Sequence, residues 1–347
     1  TTTASARGPL SIVQRLHGGT SSRINGFPGP SSATRSVTQI NGTPYGYHSG
    51  GNYPMISTVD RVDYSNDTAT ASVKGPLSRT KYYHGATGNL SYGYHGGGEY
   101  PDTSATDRID YSNDSATSSP KGILSYSKYS QAVTGNLSYG YWMGGAPGAN
   151  TTISRVDYAD DTATALAKGN LDTARRNASA AGTTSYAYCA GGEGAPGPNI
   201  SSIDRIDYSS DTSTASPKGL LSGSLKSASA LGTTSYGYFV GGDGSGGTVS
   251  TIDRVDYSND TATASPKGLL SIARRNTASF SGPSYGYVAG GLGPVKSSID
   301  RIDFSNDTAT APAKGPLSNT KYGGAGSSSQ SYGFASTTVY PWYDTSG

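Results

Sequence analysis

One segment recurs along the chain with a period of 47 to 50 residues, and this repeat restricts the fold more than any other feature. Its best-preserved part is Thr251–Leu270, in which Ile252, Val255 and Tyr257 suit a β-strand and Ser258-Asn-Asp260 is a turn sequence. Repeats of this length are typical of four-stranded propeller blades. Near-copies of the segment begin at Thr58, Ala105, Thr152, Ser202 and Ser298.

Each unit predicts four short strands. The strands are evenly spaced, glycine and proline separate them, and no helical periodicity occurs. This pattern indicates an all-β barrel or propeller, and the many small residues favour a propeller, whose blades crowd together near the axis. In the second unit the predicted strands are Lys81–Ala86, Tyr92–His95, Ser104–Tyr111 and Ala116–Ser119.

The composition indicates a folded chain with few charges. Its 49 glycines and 18 prolines recur at fixed positions together with apolar residues, which a disordered chain would lack. The net charge of +2 argues against nucleic-acid binding, and no apolar run is long enough for membrane insertion. A single cysteine, Cys189, excludes an internal disulfide. Other units have Phe239 or Val288 at its position, so Cys189 is predicted to be a small apolar filler.

The order of features within a unit resembles the kelch repeat. Tyr45-Gly-Tyr is followed by the double glycine Gly50-Gly51, a variable loop, and a third strand that ends in Asp63-Tyr64. The resemblance covers the chain apart from an insertion after Leu10, but Thr and Ala replace the kelch Trp of the fourth strand. Such Gly-, Ser- and Tyr-rich arrays are also similar to predicted virion structural proteins of marine bacteriophages. The resemblance therefore implies a propeller carried by a virus particle.

The two ends of the sequence predict how the ring of blades closes. Thr1–Leu10 matches Thr68–Leu77 position for position and is predicted to be a lone fourth strand. Three strands without a fourth are predicted at the other end, and pairing with residues 1–10 would remove the open sheet edges. The three are Tyr322–Ser327, Tyr332–Ala335 and Val339–Tyr343.

We therefore predict a single domain over residues 1–347, a seven-bladed kelch-like propeller with four-stranded blades. Residues 1–10 would complete the last blade, and residues 11–44 would begin the first blade with an inserted loop. The repeats would occupy residues 45–317, and residues 318–347 would give the first three strands of the composite blade.

The units differ from one another mainly between Tyr-Gly-Tyr and the Arg of the third strand. In an up-and-down blade this loop lies on the same face as the connection between blades. Loops held by a rigid scaffold commonly carry recognition, so we predict a binding face there, with sequence drift in unconstrained loops as the alternative. The predicted binding residues are Tyr53, Met55, Tyr100, Asp102, Asn150, Glu193, Asn199, Asp243 and Lys296.

A basic residue stands four positions after the Leu of each Lys-Gly-x-Leu segment in five units, and one position later in the sixth. If this position starts the innermost strand, the cations ring the mouth of the central channel and could hold an acidic or sulfated glycan. Solvated structural cations are the alternative. The residues are Lys81, Lys128, Arg175, Lys226, Arg274 and Lys321.

The remaining motifs favour structure over catalysis. The Asp60-Arg-x-Asp63 motif has six near-identical copies, which favours an ion-pair ladder between neighbouring strands over a singular active site. The turn Asp256–Thr261 lacks the bidentate Glu of a calcium loop. No nucleophile elbow or phosphate loop occurs, and no metal-ligand spacing relates His17, His48, His84 and His95. We expect no enzyme activity, no metal and no cofactor.

The sequence thus predicts a non-catalytic binding propeller. The resemblance favours a virion fibre, decoration or tail protein, and the expected location is virion or extracellular. The expected partners are other virion proteins, cell-surface proteins or glycans, or further copies of the chain, without nucleic acid or membrane. The alternatives are an extracellular lectin or adhesin of a cell and, less favoured, an intracellular kelch adaptor.

Overall fold

The computed structural model describes residues 31–39, 42–99, 102–195, 197–330 and 336–344. The chain divides into two compact units, residues 1–39 with 337–347 and residues 40–336. In the first unit, β1 (Ser31–Gln39) pairs with the last strand of the chain, Ser336–Asp344. The second unit contains the repeats.

The second unit consists of six antiparallel sheets, the blades of a propeller. Blade 5 also carries a small hairpin of two short strands, β19 and β20. In chain order the strands are β2 (Tyr45–Ser49), β3 (Val59–Asp63) and β4 (Ser72–Lys74) in blade 1; β5 (Gly85–Gly88), β6 (Tyr92–Gly96), β7 (Thr106–Asp110) and β8 (Ser119–Lys121) in blade 2; β9 (Ala132–Gly135), β10 (Tyr139–Met143), β11 (Ile153–Asp157) and β12 (Leu166–Ala167) in blade 3; β13 (Ser179–Gly182), β14 (Tyr186–Ala190), β15 (Ser202–Asp207) and β16 (Ser216–Leu220) in blade 4; β17 (Ser229–Gly232), β18 (Tyr236–Val240), β19 (Asp243–Gly244), β20 (Gly247–Thr248), β21 (Thr251–Asp256) and β22 (Ser265–Leu269) in blade 5; and β23 (Ala278–Ser281), β24 (Tyr285–Ala289) and β25 (Ile299–Asp303) in blade 6.

The ring closes through a strand from the C-terminal part of the second unit. That strand, β26 (Ala325–Ser328), pairs with β2 and is the innermost strand of blade 1. It also contacts the innermost strands of blades 2 and 6, which completes the circle. Blade 6 has three strands, and its outer edge is extended by a bridge between Asp300 and Ala313.

The predicted all-β propeller with four-stranded antiparallel blades is confirmed, but the predicted number of seven blades is wrong, because the structure has six. The segment expected to start a seventh blade supplies the missing first strand of blade 1. Residues Val339–Tyr343, also expected in the seventh blade, pair with β1 in the separate sheet. The predicted strands at residues 1–10 and 332–335 lie outside the described residues.

The predicted strand limits in blade 2 also need correction. The innermost strand starts at Gly85 instead of Lys81, and the outermost strand is Ser119–Lys121 instead of Ala116–Ser119. The turn is longer than expected, because the N–H of Ala116 donates to the carbonyl of Asn113. Ser115 and Ala116, which follow the Asn-Asp pair, therefore belong to the turn.

Aromatic stacking joins neighbouring blades. Tyr94 of blade 2 is fully buried and stacks on Tyr158 of blade 3 with ring centroids 4.5 Å apart. The buried Ala165 directly precedes β12, and its N–H donates to the carbonyl of Ile123 in the connection from blade 2. The close approach of the two backbones explains why a small residue occupies this position. Equivalent stacks join Tyr47 to Tyr111, Tyr141 to Tyr208, Tyr188 to Tyr257, Tyr238 to Phe304 and Tyr287 to Tyr64.

A charged cluster in each turn, here called the turn cluster, also holds neighbouring blades together. Asp260 in the turn of blade 5 accepts hydrogen bonds from Arg205 (2.8 Å) and from the Tyr188 hydroxyl (3.0 Å), and Lys218 lies 3.6 Å away. These three partners come from three strands of blade 4. The Arg of the Asp-Arg-x-Asp motif therefore pairs with a turn carboxylate of the next blade, and the expected ion-pair ladder between neighbouring strands is wrong. The equivalent carboxylates are Asp67, Asp114, Asp161, Asp211 and Asp307.

The glycine of each Lys-Gly pair lies against the turn of the next blade. The N–H of Gly219 donates to the carbonyl of Asp260, and a Cβ on Gly219 would lie 2.0 Å from the carbonyl oxygen of Ala262. Since real Cβ atoms do not approach backbone so closely, only glycine fits without a shift of one blade.

Candidate functional site

The loops after the double glycines and the connections between blades lie side by side. In every blade an isolated antiparallel bridge joins them, as between Tyr82 and Glu99 in blade 2 or Arg275 and Leu292 in blade 6. We call the side of the ring formed by these segments the loop face, and the side that carries the turn clusters the turn face.

Five of the six predicted channel cations are buried within the blades instead of lining the channel mouth. Lys81 lies 3.0 Å from Asp107 and also donates to two backbone carbonyls. Arg175 pairs with Asp204 at 2.8 Å, and both side chains are fully buried. Burial lowers the pKa of Lys81, and the nearby Asp107 partly opposes this effect. The five buried cations are Lys81, Lys128, Arg175, Arg274 and Lys321.

Two blades lack one member of this buried ion pair. In blade 3, Ser154 replaces the carboxylate, and Lys128 donates instead to Asn150 Oδ1 at 3.0 Å. Burial lowers the pKa of Lys128 to about 8. In blade 5, Leu225 replaces the cation, and Asp253 accepts hydrogen bonds from the backbone and hydroxyl of Ser222. At each incomplete site, hydrogen bonds therefore take the place of the ion pair.

The predicted binding residues lie on the loop face in different settings. Tyr53 is 66% exposed and has a φ of +101°, which is unusual for a bulky residue. Asp102 is exposed, while Met55 and Lys296 are half-buried. Tyr100 lies outside the described residues. Asn150, Glu193, Asn199 and Asp243 take part in hydrogen bonds or ion pairs.

A closed circle of backbone hydrogen bonds surrounds the channel mouth. Six residues, one per blade, have φ values between +50° and +64°. The N–H of each donates to the carbonyl of its counterpart in the preceding blade at 2.6–2.9 Å. The sequence interpretation missed this circle, although Gly, Asn and Ser at a fixed position are a sign of turn or left-handed backbone. The six are Tyr83, Ser130, Asn177, Ser227, Asn276 and Gly323.

The residues immediately before this circle form the rim of the channel mouth, and their side chains divide the rim into two halves. Blades 1 to 3 carry Tyr322, Tyr82 and Tyr129, whereas blades 4 to 6 carry cations. The cations alternate with two carboxylates, because Arg176 and Lys226 both pair with Glu193, at 2.8 and 3.3 Å, and Arg275 pairs with Asp243 at 2.6 Å. Of the predicted channel cations, Lys226 alone belongs to this rim.

The rim encloses a cavity of about 290 Å³ whose lining includes Tyr83, Tyr129, Arg176, Lys226 and Arg275. Below it, Ala, Gly and Ser of the innermost strands line a channel that narrows toward the turn face. At its narrow end a cavity of about 10 Å³ is lined by Leu231 and Phe280, among others. A ligand of any size would therefore enter from the loop face.

Cys189 and the histidines of the described residues are buried outside the lining of the rim cavity, although His84 lines the channel below it. Cys189 is fully buried in an apolar cluster, and burial raises the pKa of its thiol to about 12, in agreement with its role as an apolar filler. The Ser49 hydroxyl lies 3.0 Å from His84 Nε2 and 2.7 Å from His95 Nδ1 in the interior. Burial lowers the pKa of His95 to about 3.

Fold and site together define a six-bladed β-propeller with a polar cavity at one end of its channel. Neither the models of known protein families nor the curated proteins compared with the chain match its sequence. In the part of the chain that the structure describes, no helix is long and apolar enough to cross a membrane.

Proposed function

We propose that this chain is a non-catalytic propeller that binds a protein or a glycan through its loop face as part of a virus particle. The observation that carries the binding role is the contrast between the two faces. On the turn face, six equivalent carboxylates hold cations of the preceding blade. On the loop face, the corresponding positions differ from blade to blade around an open cavity.

The placement in a virus particle is supported by the resemblance of the Gly-, Ser- and Tyr-rich repeats to predicted virion structural proteins. A ring in which each blade is fastened to the next by stacking and ion pairs suits a protein that works outside a cell. The same features would serve an extracellular lectin or adhesin, which is the second candidate because the rim combines tyrosines with cations.

Binding can be tested with labelled protein on a glycan array and on intact host cells. The variants Tyr53→Ala and Asp102→Ala change exposed loop-face residues, and Asn259→Ala changes an exposed turn-face residue as the matched control. We expect the loop-face variants to weaken attachment and the control to leave it unchanged. Equal effects of both sets would contradict the proposed binding face.

The virion placement needs a separate measurement. Mass spectrometry of particles purified from the source should detect the chain in stoichiometric amounts. A chain that binds glycans but occurs only on cell surfaces would favour the lectin, and a chain confined to the cytosol would exclude both.

A further inference from the structure

The rim cavity carries an excess of positive charge. Its lining contains Arg176, Lys226 and Arg275 but a single carboxylate, that of Asp243. Glu193 pairs with two of the cations but does not line the cavity. With Glu193 counted, three cations and two carboxylates lie together, which leaves one positive charge in excess on this half of the rim.

The cations are also more accessible than the carboxylates that hold them. The side chains of Arg176 and Arg275 are 38% and 40% exposed, whereas those of Glu193 and Asp243 are each 13% exposed. The carboxylates fix the guanidinium groups from beneath and leave part of each free. Because these cations are already held in place, an anion that binds them would cost little side-chain ordering.

The other half of the cavity lining is aromatic, and burial, together with the nearby carboxylate of Glu99, raises the pKa of Tyr83 and Tyr129. Tyr83 and Tyr129 belong to its lining, and the hydroxyl of Tyr83 accepts a hydrogen bond from Asn276 Nδ2 at 3.3 Å. The ring of Tyr83 lies over Gly323, where an added Cβ would meet it at 3.0 Å. Asn177 and Ser227 add amide and hydroxyl groups to the lining. This half of the cavity therefore offers an aromatic surface to the C–H groups of a ligand and hydrogen-bond partners to its hydroxyls.

The size of the cavity limits the ligand. A volume of about 290 Å³ is at the lower end of the roughly 300–1,000 Å³ found for small-molecule sites. Nearer the turn face the cavity in the channel has a volume of about 10 Å³, which is too small for a saccharide unit. The ligand group is therefore held in the rim cavity itself.

From charge, surface and size together we infer that the rim cavity binds an acidic sugar, as a single saccharide unit that carries a carboxylate or a sulfate. The anionic group lies against Arg176, Lys226 and Arg275, and the sugar ring lies against Tyr83 and Tyr129. This inference rests on the proposed binding function and names the ligand class at one place on the loop face.

A matched pair of sugars tests the ligand class. Methyl galacturonoside and methyl galactoside differ only at C6, which is a carboxylate in the first and a hydroxymethyl group in the second. Inorganic sulfate provides an anion without the sugar. Titration calorimetry on the intact chain at low salt should show binding of the acid, at least about tenfold weaker binding of the neutral sugar, and weaker binding of sulfate alone. Added salt should weaken binding of the acid.

Single substitutions test the place of binding. Arg275→Gln and Arg176→Gln should each weaken binding of the galacturonoside by about tenfold or more. Tyr129→Ala should weaken both sugars by a similar factor, since it removes the shared ring contact. Arg79→Gln is the matched control, because Arg79 is exposed and lies outside the cavity lining. An unchanged thermal unfolding midpoint for each variant shows that the ring is intact.

Equal affinity for the two sugars, an affinity for sulfate equal to that for the acid, or full affinity in both arginine variants would overturn this inference. If the acidic sugar fails while neutral glycans or cells still bind in a manner that depends on Tyr53 and Asp102, this inference fails and the proposed function stands. If loop-face substitutions change no binding of any kind, both fail.

Discussion

The turn clusters and the buried ion pairs near the loop face are both repeated around the ring, but they differ in the number of blades in which they are complete. The turn cluster is complete in all six blades. The buried pair is complete in four, while blade 3 has Lys128 without a carboxylate and blade 5 has Asp253 without a cation.

The difference follows from what each contact joins. Lys81 and Asp107 belong to one blade, whose strands are already fixed by backbone hydrogen bonds. Asp260 and Arg205 belong to different blades, and no sheet ladder joins these two blades. A contact that repeats what the sheet provides can be replaced by local hydrogen bonds. Between blades, only aromatic stacks and single backbone hydrogen bonds act beside the turn cluster.

The largest effect is expected from breaking a turn cluster. Asp260→Ala leaves Arg205, Lys218 and the Tyr188 hydroxyl without their common acceptor. We expect the free energy of unfolding to fall by about 3 kcal/mol, because uncompensated cations remain in a partly buried site. Chemical denaturation measures this loss.

The control for that substitution lies four residues earlier in the same turn. Asp256→Ala removes an exposed cap that accepts a hydrogen bond from the N–H of Ser258, and it should cost about 1 kcal/mol. Similar losses for the two variants would contradict the special role assigned to contacts between blades.

A smaller loss is expected where two blades touch by backbone alone. Gly219→Ala places a methyl group 2.0 Å from the carbonyl oxygen of Ala262 in the next blade. The forced shift should cost about 1–3 kcal/mol. Gly223→Ala is the matched control, since nothing lies within 4 Å of its added Cβ. A thermal unfolding series on both variants would refute this expectation if the two midpoints fell together.

Completing the ion pair of blade 3 should have a modest and pH-dependent effect. In the native chain, the lowered pKa of Lys128 means that the unfolded chain holds more protons between about pH 8 and pH 10. The contribution of Lys128 to stability therefore rises with pH in that window. Ser154→Asp should raise this pKa and stabilise the fold by about 1 kcal/mol at pH 7, with a smaller gain toward pH 10.

Denaturation curves at pH 7, 8 and 9.5 measure the effect of Ser154→Asp. Ser154→Asn provides a neutral side chain of similar size, and its effect should not vary with pH over that range. A gain for the Asp variant that grows with pH would show that Lys128 does not sense the new carboxylate.

The smallest effect at neutral pH is expected from the buried histidines. Burial lowers the pKa of His48, His84 and His95, so the unfolded chain binds more protons below about pH 6.5. The histidines should therefore not change the free energy of unfolding above pH 7, and they should lower it from pH 6.5 toward pH 5. His84→Gln should reduce that slope in urea denaturation at pH 7, 6 and 5. An unchanged slope would indicate that His84 does not titrate as a buried neutral group.

Much of the fold could be predicted because local chemistry is repeated. The strand-forming residues, the double glycines and the Ser-Asn-Asp turns recur with one period, and every blade except blade 1 forms from one continuous segment. The loop face could also be located from the units, because the lengths vary only in one loop. The binding role of its residues stays a prediction.

The number of blades could not be read in the same way. Residues 325–328 look like the first strand of a new blade, yet they pair with β2 and complete blade 1. The number of blades depends on which sheet presents an unpaired edge to residues 325–328. That edge exists only when the first and last parts of the ring meet.

The roles of the basic residues were likewise decided in three dimensions. Arg175 and Arg176 are adjacent and chemically identical in the sequence. Arg175 is fully buried against Asp204, whereas Arg176 is 38% exposed at the rim beside Glu193. Arg175, which was predicted to be a channel cation, is therefore a structural residue, and Arg176 faces the cavity.

The sequence by itself determined the repeat, the strand type and the antiparallel blade, because these depend on residues that are close along the chain. The tertiary structure decided the closure by β26, the pairing of each turn carboxylate with the preceding blade, and the cavity within the rim. Those features join residues from different blades, and their geometry exists only once the ring has closed.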